Sequence, residues 1–388
     1  MRVLHVSAYF APAFCYGGPP RSILGLCQAL RRHGVVAELL TTTANGPATL
    51  PAGRREYDGV PAEYLPRAFP KRFFNVAGLR SRLAALLPSF DFLHIHGLWN
   101  LTVWKAAAAA RALKKPYVIS PRGMLDPGSM QSHAALKRLM YPLIERRNLA
   151  SAALLHATSQ AEANALAAYH LPPPIRLVPN GVDFLDPDRE SGLALRNRLG
   201  VAAADPVVMY LGRIAPLKRL DLLATAFSRV LERLPGAKLL IAGPDEADTL
   251  AALRPLIDPL GATVHVLGEL DAAGKRALFA AANVSVCCSD SESFGLSIAE
   301  SLGAGVPAVV TKTCPWPKLD ETGAGRWVDQ TPAAIAAALI EILSNPSNAT
   351  AMGQRGRRFV RNEFSWDGLA PKMIRMYEEA LALGNPPR

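Results

Sequence analysis

Cysteine is scarce and long apolar runs are missing, and each shortage narrows what the chain can be. Five cysteines occur in 388 residues, at positions 15, 27, 287, 288 and 314. The odd count and irregular spacing exclude a disulfide framework and a zinc ribbon, and suit a reducing, cytoplasmic setting. The alanine-rich run near Ala106 is cut by Lys105 and Arg111. It falls short of the roughly 20 apolar residues a membrane span needs. The start MRVLHVSAYFAPAF lacks a cationic segment followed by a long apolar stretch, so no signal peptide is expected. There is no GxGxxG, no HExxH and no Asp-x-Asp at the end of a strand-like run. A dinucleotide fingerprint and the common sequence signatures of bound metal are therefore absent.

What remains is a well-folded chain, half hydrophobic by composition and long enough for two domains. Its net charge of +11 is unevenly spread. Residues 1–185 hold 21 Lys and Arg against 9 Asp and Glu, whereas the remainder holds 22 against 23. A basic first half suits nucleic acid, an anionic membrane or a phosphorylated substrate, or it simply solubilises the protein. No recognition helix or aromatic RNA platform accompanies the charge, so nucleic acid is not an expected partner.

Short β-branched runs alternate with amphipathic helical patterns in both halves. VLHVSAY (3–9), VVAELLTT (35–42), FDFLHIHG (90–97), PYVISPRG (116–123), ASAALLHATS (150–159) and IRLVPNGVD (175–183) read as strands of the first half. VVMYLGR (207–213), AKLLIAG (237–243), TVHVLG (263–268), VSVCCS (284–289) and PAVVT (307–311) repeat the arrangement after a polar hinge at 186–206. Such alternation predicts α/β architecture with parallel sheets, whose ligands gather beyond the carboxyl ends of the strands.

Five clusters of chemistry-bearing residues lie at those ends. Glu292 and Glu300 flank the turn Ser293–Phe294–Gly295 and a helix start at Leu296–Ser297. Free N–H groups there suit a phosphate or sugar hydroxyl. A carboxylate at Glu300, on an otherwise apolar helix, needs partners such as ribose hydroxyls. The alternative is a decorated turn and a half-exposed helix residue. Arg213 and Lys218, in GRIAPLKR, suit a diphosphate, unless Lys218 pairs locally with Asp221. Gly17 and Gly18, ahead of a helix predicted over 21–34, suit an anion or merely a tight turn. His94 and His96 share one face of a strand. His96, with Trp99, is the better candidate to meet a sugar, and no third ligand is evident for a metal. Arg122 suits an acceptor phosphate or carboxylate, or an ion pair with Asp126.

Together these segments resemble retaining glycosyltransferases of family 4, in the two-domain GT-B architecture. The resemblance rests on E-x7-E (Glu292 to Glu300, within ESFG and AESLGAGVP), GRIAPLKR, the early Gly-Gly loop and PNGVD at 179–183. HIHGLWN, SPRGMLDPG and CPWPKL (314–319) further resemble bacterial members that build cell-surface polysaccharides. The resemblance implies two Rossmann-like domains, 1–185 for the acceptor and 186–363 for the nucleotide sugar, facing across a deep cleft. A C-terminal helix, 364–388, crosses back to the first domain.

It also implies that Glu292 meets the donor sugar and Glu300 the ribose. Arg213 and Lys218, with Gly17 and Gly18, would hold the diphosphate, while the base lies near Val266 and Gly268. Amides from Phe294 to Ser297 would complete the donor cradle, and His96, Trp99 and Arg122 would face the acceptor. Ser293 replaces a glycine common in relatives, and Cys288 a proline, which leaves the sugar's identity open.

The donor would be a nucleoside-diphosphate sugar, with no metal or other cofactor, cations and amides doing the work that Mg²⁺ does elsewhere. Transfer would go to a glycan or a polyprenyl-diphosphate-linked acceptor with retention. RAFPKRFFNVAGLRSRLAALL (67–87) mixes Phe69, Phe73 and Phe74 with five cations. It reads either as a basic helix on the inner face of the cytoplasmic membrane or as an ordinary packed helix. A same-fold epimerase or hydrolase, and a nucleic-acid-binding protein, are the competing functions.

Overall fold

The computed structural model describes residues 1–384 apart from 132 and 247. The chain divides into two compact units, Met1–Gly181 together with the segment from Trp366 on, and Val182–Ser365. These limits fall a few residues from the expected 185/186 and 363/364 boundaries. The reason is local: Val182 N–H bonds the Phe364 carbonyl at 2.9 Å, which ties both crossing strands into the second unit.

In the first unit a parallel sheet is centred on Arg2–Ser7. Val36–Thr42 and Val60–Leu65 lie to one side; Phe92–His96, Tyr117–Ser120, Leu154–Ala157 and Ile175–Leu177 follow on the other. Gly53–Tyr57 closes one edge as an antiparallel strand against Val60–Leu65. Its two-residue turn, Asp58–Gly59, has positive φ at both positions, as a tight hairpin requires. The Asp-Gly pair is the sequence signal of this hairpin, which is not among the expected strands.

The second unit is a six-stranded parallel sheet among the described residues. Its order is Val264–Gly268, Lys238–Ala242, Val207–Leu211, Val284–Cys287, Ala308–Thr311, Gly325–Val328. In chain order this is 3-2-1-4-5-6, the doubly wound arrangement. The chain leaves Val207–Leu211 and Val284–Cys287 in opposite directions, which opens a crevice above their carboxyl ends.

The final helix, Trp366–Leu383, belongs to the first unit. Trp366, Leu369, Met373, Met376 and Tyr377 join the core beneath Gly18–Arg32. Trp366 is wedged between two glycines: a Cβ at Gly25 would lie 2.4 Å from its ring, and one at Gly181 2.1 Å.

The 67–87 stretch is not a single basic helix. Lys71–Phe73 is one 3₁₀ turn, Phe74 takes a left-handed conformation, and a separate short helix spans Leu79–Leu86. Leu79 and Leu83 are buried there, and Phe74 packs edge-on to Tyr9 and Tyr16. Only Phe69 of the three phenylalanines stands in solvent. The stretch therefore matches neither reading: Leu79 and Leu83 serve the core, but no single helix is formed and Phe69 is 90% exposed.

Candidate active site

In the second unit the crevice between Val207–Leu211 and Val284–Cys287 collects Lys218, Glu292 and the turn from Phe294 to Ser297. Past Leu211 the chain turns at Gly212 and Arg213, and Pro216–Lys218 forms a 3₁₀ turn ended by Arg219 at φ 53°. The turn directs the Lys218 ammonium back onto Glu292 Oε1 at 2.5 Å, where Ser289 Oγ also donates at 2.8 Å. Asp290 N–H bonds the Leu217 carbonyl at 2.9 Å, fastening the two loops together. Asp221 pairs with Arg219 and not with Lys218, because the 3₁₀ turn sends consecutive side chains apart. Burial pulls the Lys218 pKa down, but the adjacent Glu292 carboxylate outweighs it and the net shift is upward. The site thus holds a mostly buried, charged lysine, and Glu292 Oε2 has no protein partner among the described residues.

Gly295 explains how the next segment presents its backbone. Its φ of 83° is left-handed, and a Cβ would stand 2.7 Å from Ile298 Cδ1 and 3.0 Å from Trp316 Nε1. Only glycine fits without strain. The turn leaves the N–H groups of Phe294, Gly295, Leu296 and Ser297 with no protein acceptor among the described residues. They open the helix Leu296–Gly303, whose dipole adds to the field. The Phe294 side chain itself is core, packed on Trp316, whose Nε1 donates to the Phe294 carbonyl at 2.6 Å. Ser293 is half-buried in the same turn.

Two residues have protein partners that the sequence did not reveal. Glu300 is bound by Lys275 Nζ, at 2.8 Å from each carboxylate oxygen, both side chains being largely buried. Its charge is therefore compensated before any ribose arrives. Removing Lys275 alone, as Lys275→Met, leaves a buried carboxylate unpaired and is expected to cost about 3–5 kcal/mol of unfolding free energy. Chemical denaturation measures it, and an unchanged midpoint would show the pair to be dispensable. Arg213 is held by Glu246 at the surface. Such a pair is worth about 0–1 kcal/mol, so the guanidinium is released at little cost. Val266 and Gly268 lie on the edge strand Val264–Gly268 and are half-buried, which leaves that rim of the sheet approachable.

The first unit places its residues at its own crevice, between Arg2–Ser7 and Phe92–His96. Register sets His5 opposite His94, and Ser7 and Ser120 on either side of His96. Hydrogen-bond logic then fixes the tautomers. His156 Nε2–H donates to the Val178 carbonyl (2.7 Å), so its Nδ1 accepts from Ser120 Oγ (2.5 Å). Ser120 in turn accepts from His94 Nε2 (2.6 Å), and His94 Nδ1 accepts from the Tyr377 hydroxyl (2.7 Å). Arg122 Nη2 donates to His96 Nδ1 (3.0 Å), and His96 Nε2–H donates to His5 Nδ1 (2.9 Å). His5 Nε2–H is left buried with no acceptor among the described residues.

Every ring of this hydrogen-bonded network, His5, His94, His96 and His156, is neutral. Burial, with Arg122 adding to it, lowers the His5 pKa to about 3; burial lowers His156 to about 4, and His94 and His96 lie well below the usual value. The sign of the linkage follows. Below about pH 6.5 the unfolded histidines take up protons that the folded ones refuse, so stability falls as pH drops toward 4. Each such group contributes up to about 1.4 kcal/mol per pH unit in that window. Denaturant midpoints at pH 7, 6 and 5 should decline steeply; a level profile would contradict neutral burial.

This network changes three expectations. A third histidine, His5, does come within reach, and one ring nitrogen from each of His5, His94 and His96 lies within 4.8 Å of the other two. The donor set nonetheless fits a metal poorly, since the nitrogens of His94 and His96 are engaged and the Arg122 cation adjoins them. His96 is 2% exposed with both nitrogens bonded, so its ring offers a ligand no free nitrogen. Arg122 makes no pair with Asp126. At φ 57° it turns inward to His96, Ser22 Oγ (2.9 Å) and Asn180 Oδ1 (3.1 Å).

Trp99 is half-buried, with Nε1 on the Met124 carbonyl and Lys137 over its ring at 5.8 Å. Gly17 caps the helix Gly18–Arg32, which starts three residues before the predicted Arg21. Pro19 and Pro20 lack N–H groups, so the first turn of that helix has two fewer amides to offer an anion.

Comparison with known proteins agrees with this geometry. Residues 17–181 match the glycosyl transferase 4-like domain, and residues 193–359 match glycosyl transferases group 1. A D-inositol 3-phosphate glycosyltransferase of Segniliparus rotundus is 32% identical over 59% of this chain and 52% of its own length. The GDP-mannose:cellobiosyl-diphosphopolyprenol alpha-mannosyltransferase of Komagataeibacter xylinus is 24% identical over 100% of this chain and 95% of its own.

Among solved structures, sucrose-phosphate synthase of Thermosynechococcus elongatus superposes with a TM-score of 0.79 at 22% identity, covering 98% of this chain and 99% of that one. HepE of Anabaena, crystallised with UDP and glucose, gives 0.77 at 18%, covering 97% and 99%. Matched in both units and carrying its motif residues at the crevice of each sheet, the chain belongs to the GT-B glycosyltransferases, with a 4-like first domain and a group 1 second domain.

Proposed function

We propose that the protein transfers a hexose, with retention, from a nucleoside-diphosphate sugar to a hydroxyl of a glycan or of a polyprenyl-diphosphate-linked acceptor. The supporting observation is the Lys218–Glu292 pair above the crevice of the 3-2-1-4-5-6 sheet, beside the unpartnered amides of Phe294 to Ser297. Lys218, Arg213 and the amides take the diphosphate, and Lys275-paired Glu300 takes the ribose. Glu292 Oε2 takes a hydroxyl of the donor sugar, and the base lies along Val266 to Gly268. As the glycosidic C–O bond breaks, the leaving phosphate oxygen gains charge that Lys218 stabilises; that oxygen accepts the proton of the attacking hydroxyl on the same face. Fixed cations and amides supply this stabilisation without a metal.

Arg122, with His96 behind it and Trp99 nearby, is assigned to the acceptor. Relatives named for phosphatidylinositol and polyprenol acceptors favour a lipid-linked one, used at the inner face of the cytoplasmic membrane. No helix among the described residues is long and apolar enough to cross a membrane. The test is incubation with UDP- and GDP-hexoses and bacterial lipid extract in EDTA, with the product's anomeric configuration read by NMR. A product of retained configuration is expected. Inversion, or release of free sugar only, would overturn the reading.

A further inference from the structure

One face of the first unit is apolar where water should favour polar residues. Ala134–Met140 is helical, Tyr141–Glu145 is a π turn and Arg146–Ala150 is helical again, so the segment runs on as one rod. Pro142 has no N–H to return to the Arg138 carbonyl, which accounts for the widened turn. The inner face is anchored. Glu145 is fully buried, accepting from Trp99 N–H and Trp104 Nε1 at 2.6 Å each, and Asn148 Oδ1 accepts from Arg111 at 2.8 Å.

The outer face carries Leu136, Leu139 and Leu143, at 45, 57 and 63% exposure. Steps of three and four residues put them on one ridge. Around them stand Arg138, Arg146 and Arg147, all exposed and with no ion-pair partner among the described residues. From residue 127 to 161 the only acidic residue is the buried Glu145. A leucine ridge rimmed by unpaired arginines, with no exposed carboxylate in its own segment, matches a surface that is apolar beneath and anionic above.

We propose that this ridge is the element by which the protein docks on an anionic lipid bilayer, its leucines entering the headgroup boundary and its arginines meeting lipid phosphates. It deepens the lipid-linked acceptor reading and rests on it for its purpose. The surface differs from the 67–87 stretch singled out in the sequence, whose leucines serve the core.

The test is co-sedimentation of the full chain with vesicles of phosphatidylcholine, with and without 30% phosphatidylglycerol, at low and high salt. Binding that needs phosphatidylglycerol and falls with salt is expected. It should drop at least tenfold in L136S/L139S/L143S and in R138E/R146E/R147E. Those side chains are exposed, so melting temperatures should hold, and L136A/L139A/L143A serves if the serine variant loosens the rod. Wild-type binding without phosphatidylglycerol, or unchanged binding in both variants, would overturn the assignment. So would a dimer in lipid-free sedimentation that the leucine variant abolishes, since the ridge would then face a second copy. Nucleoside diphosphate binding is measured alongside, so loss of the docking surface is distinguishable from failure of the transferase reading.

Discussion

Replacing Lys218 by alanine is expected to lower turnover by about 10²–10³-fold, the size seen when one donor to a developing oxyanion is lost. Two effects combine. The leaving diphosphate loses its nearest buried cation, and Glu292 loses the partner that compensates it at 2.5 Å. Affinity for the intact donor should change far less, because the charge that Lys218 meets forms only as the bond breaks. The double variant K218A/E292Q isolates the effect on stability, since Glu292 is itself assigned to the donor sugar. Removing the stranded carboxylate should restore thermal stability without restoring rate. Equal losses in donor affinity and turnover would reduce Lys218 to a binding residue.

The second large effect is on folding. Gly181→Ala would set a methyl 2.1 Å from the Trp366 ring, and Gly25→Ala would set one 2.4 Å away on its other side. Neither backbone can withdraw: Gly25 lies within the helix Gly18–Arg32, and Gly181 directly precedes the crossing into the second unit. Overpacking of this kind costs about 1–3 kcal/mol, occasionally more. Trp366→Ala, which empties the space, should cost about 3–5 kcal/mol. Amide exchange along Trp366–Leu383 should rise sharply in all three variants. Because Tyr377 on that helix donates to His94, the histidine network should loosen with it. An unchanged melting temperature in Gly181→Ala would show that the wedge is not structural.

The strands and most helices were legible because apolar periodicity survives in a buried parallel sheet. The motif residues were legible because such sheets place chemistry at strand ends. Partners distant in sequence were not. Nothing in the sequence around Lys275 points to Glu300, and His5 on a separate strand joins His94 and His96 only through register. The basic aromatic stretch at 67–87 left two readings open because composition does not say which way a side chain faces. Leu79 and Leu83 point inward, whereas Leu136, Leu139 and Leu143 point out. The Gly17–Gly18 loop offers fewer amides than its glycines suggest, since Pro19 and Pro20 in the first turn of the helix carry no N–H.

The most direct measurement is calorimetric titration, in EDTA, of nucleoside diphosphate and of the corresponding nucleotide sugar into the wild type and Lys218→Ala. The free diphosphate carries the charge that develops on leaving; the nucleotide sugar does not. Both ligands should bind the wild type without metal. The substitution should weaken the diphosphate by about 100-fold and the nucleotide sugar by less than tenfold. Binding that vanishes in EDTA and returns with Mg²⁺, or equal weakening of the two ligands, would contradict the account.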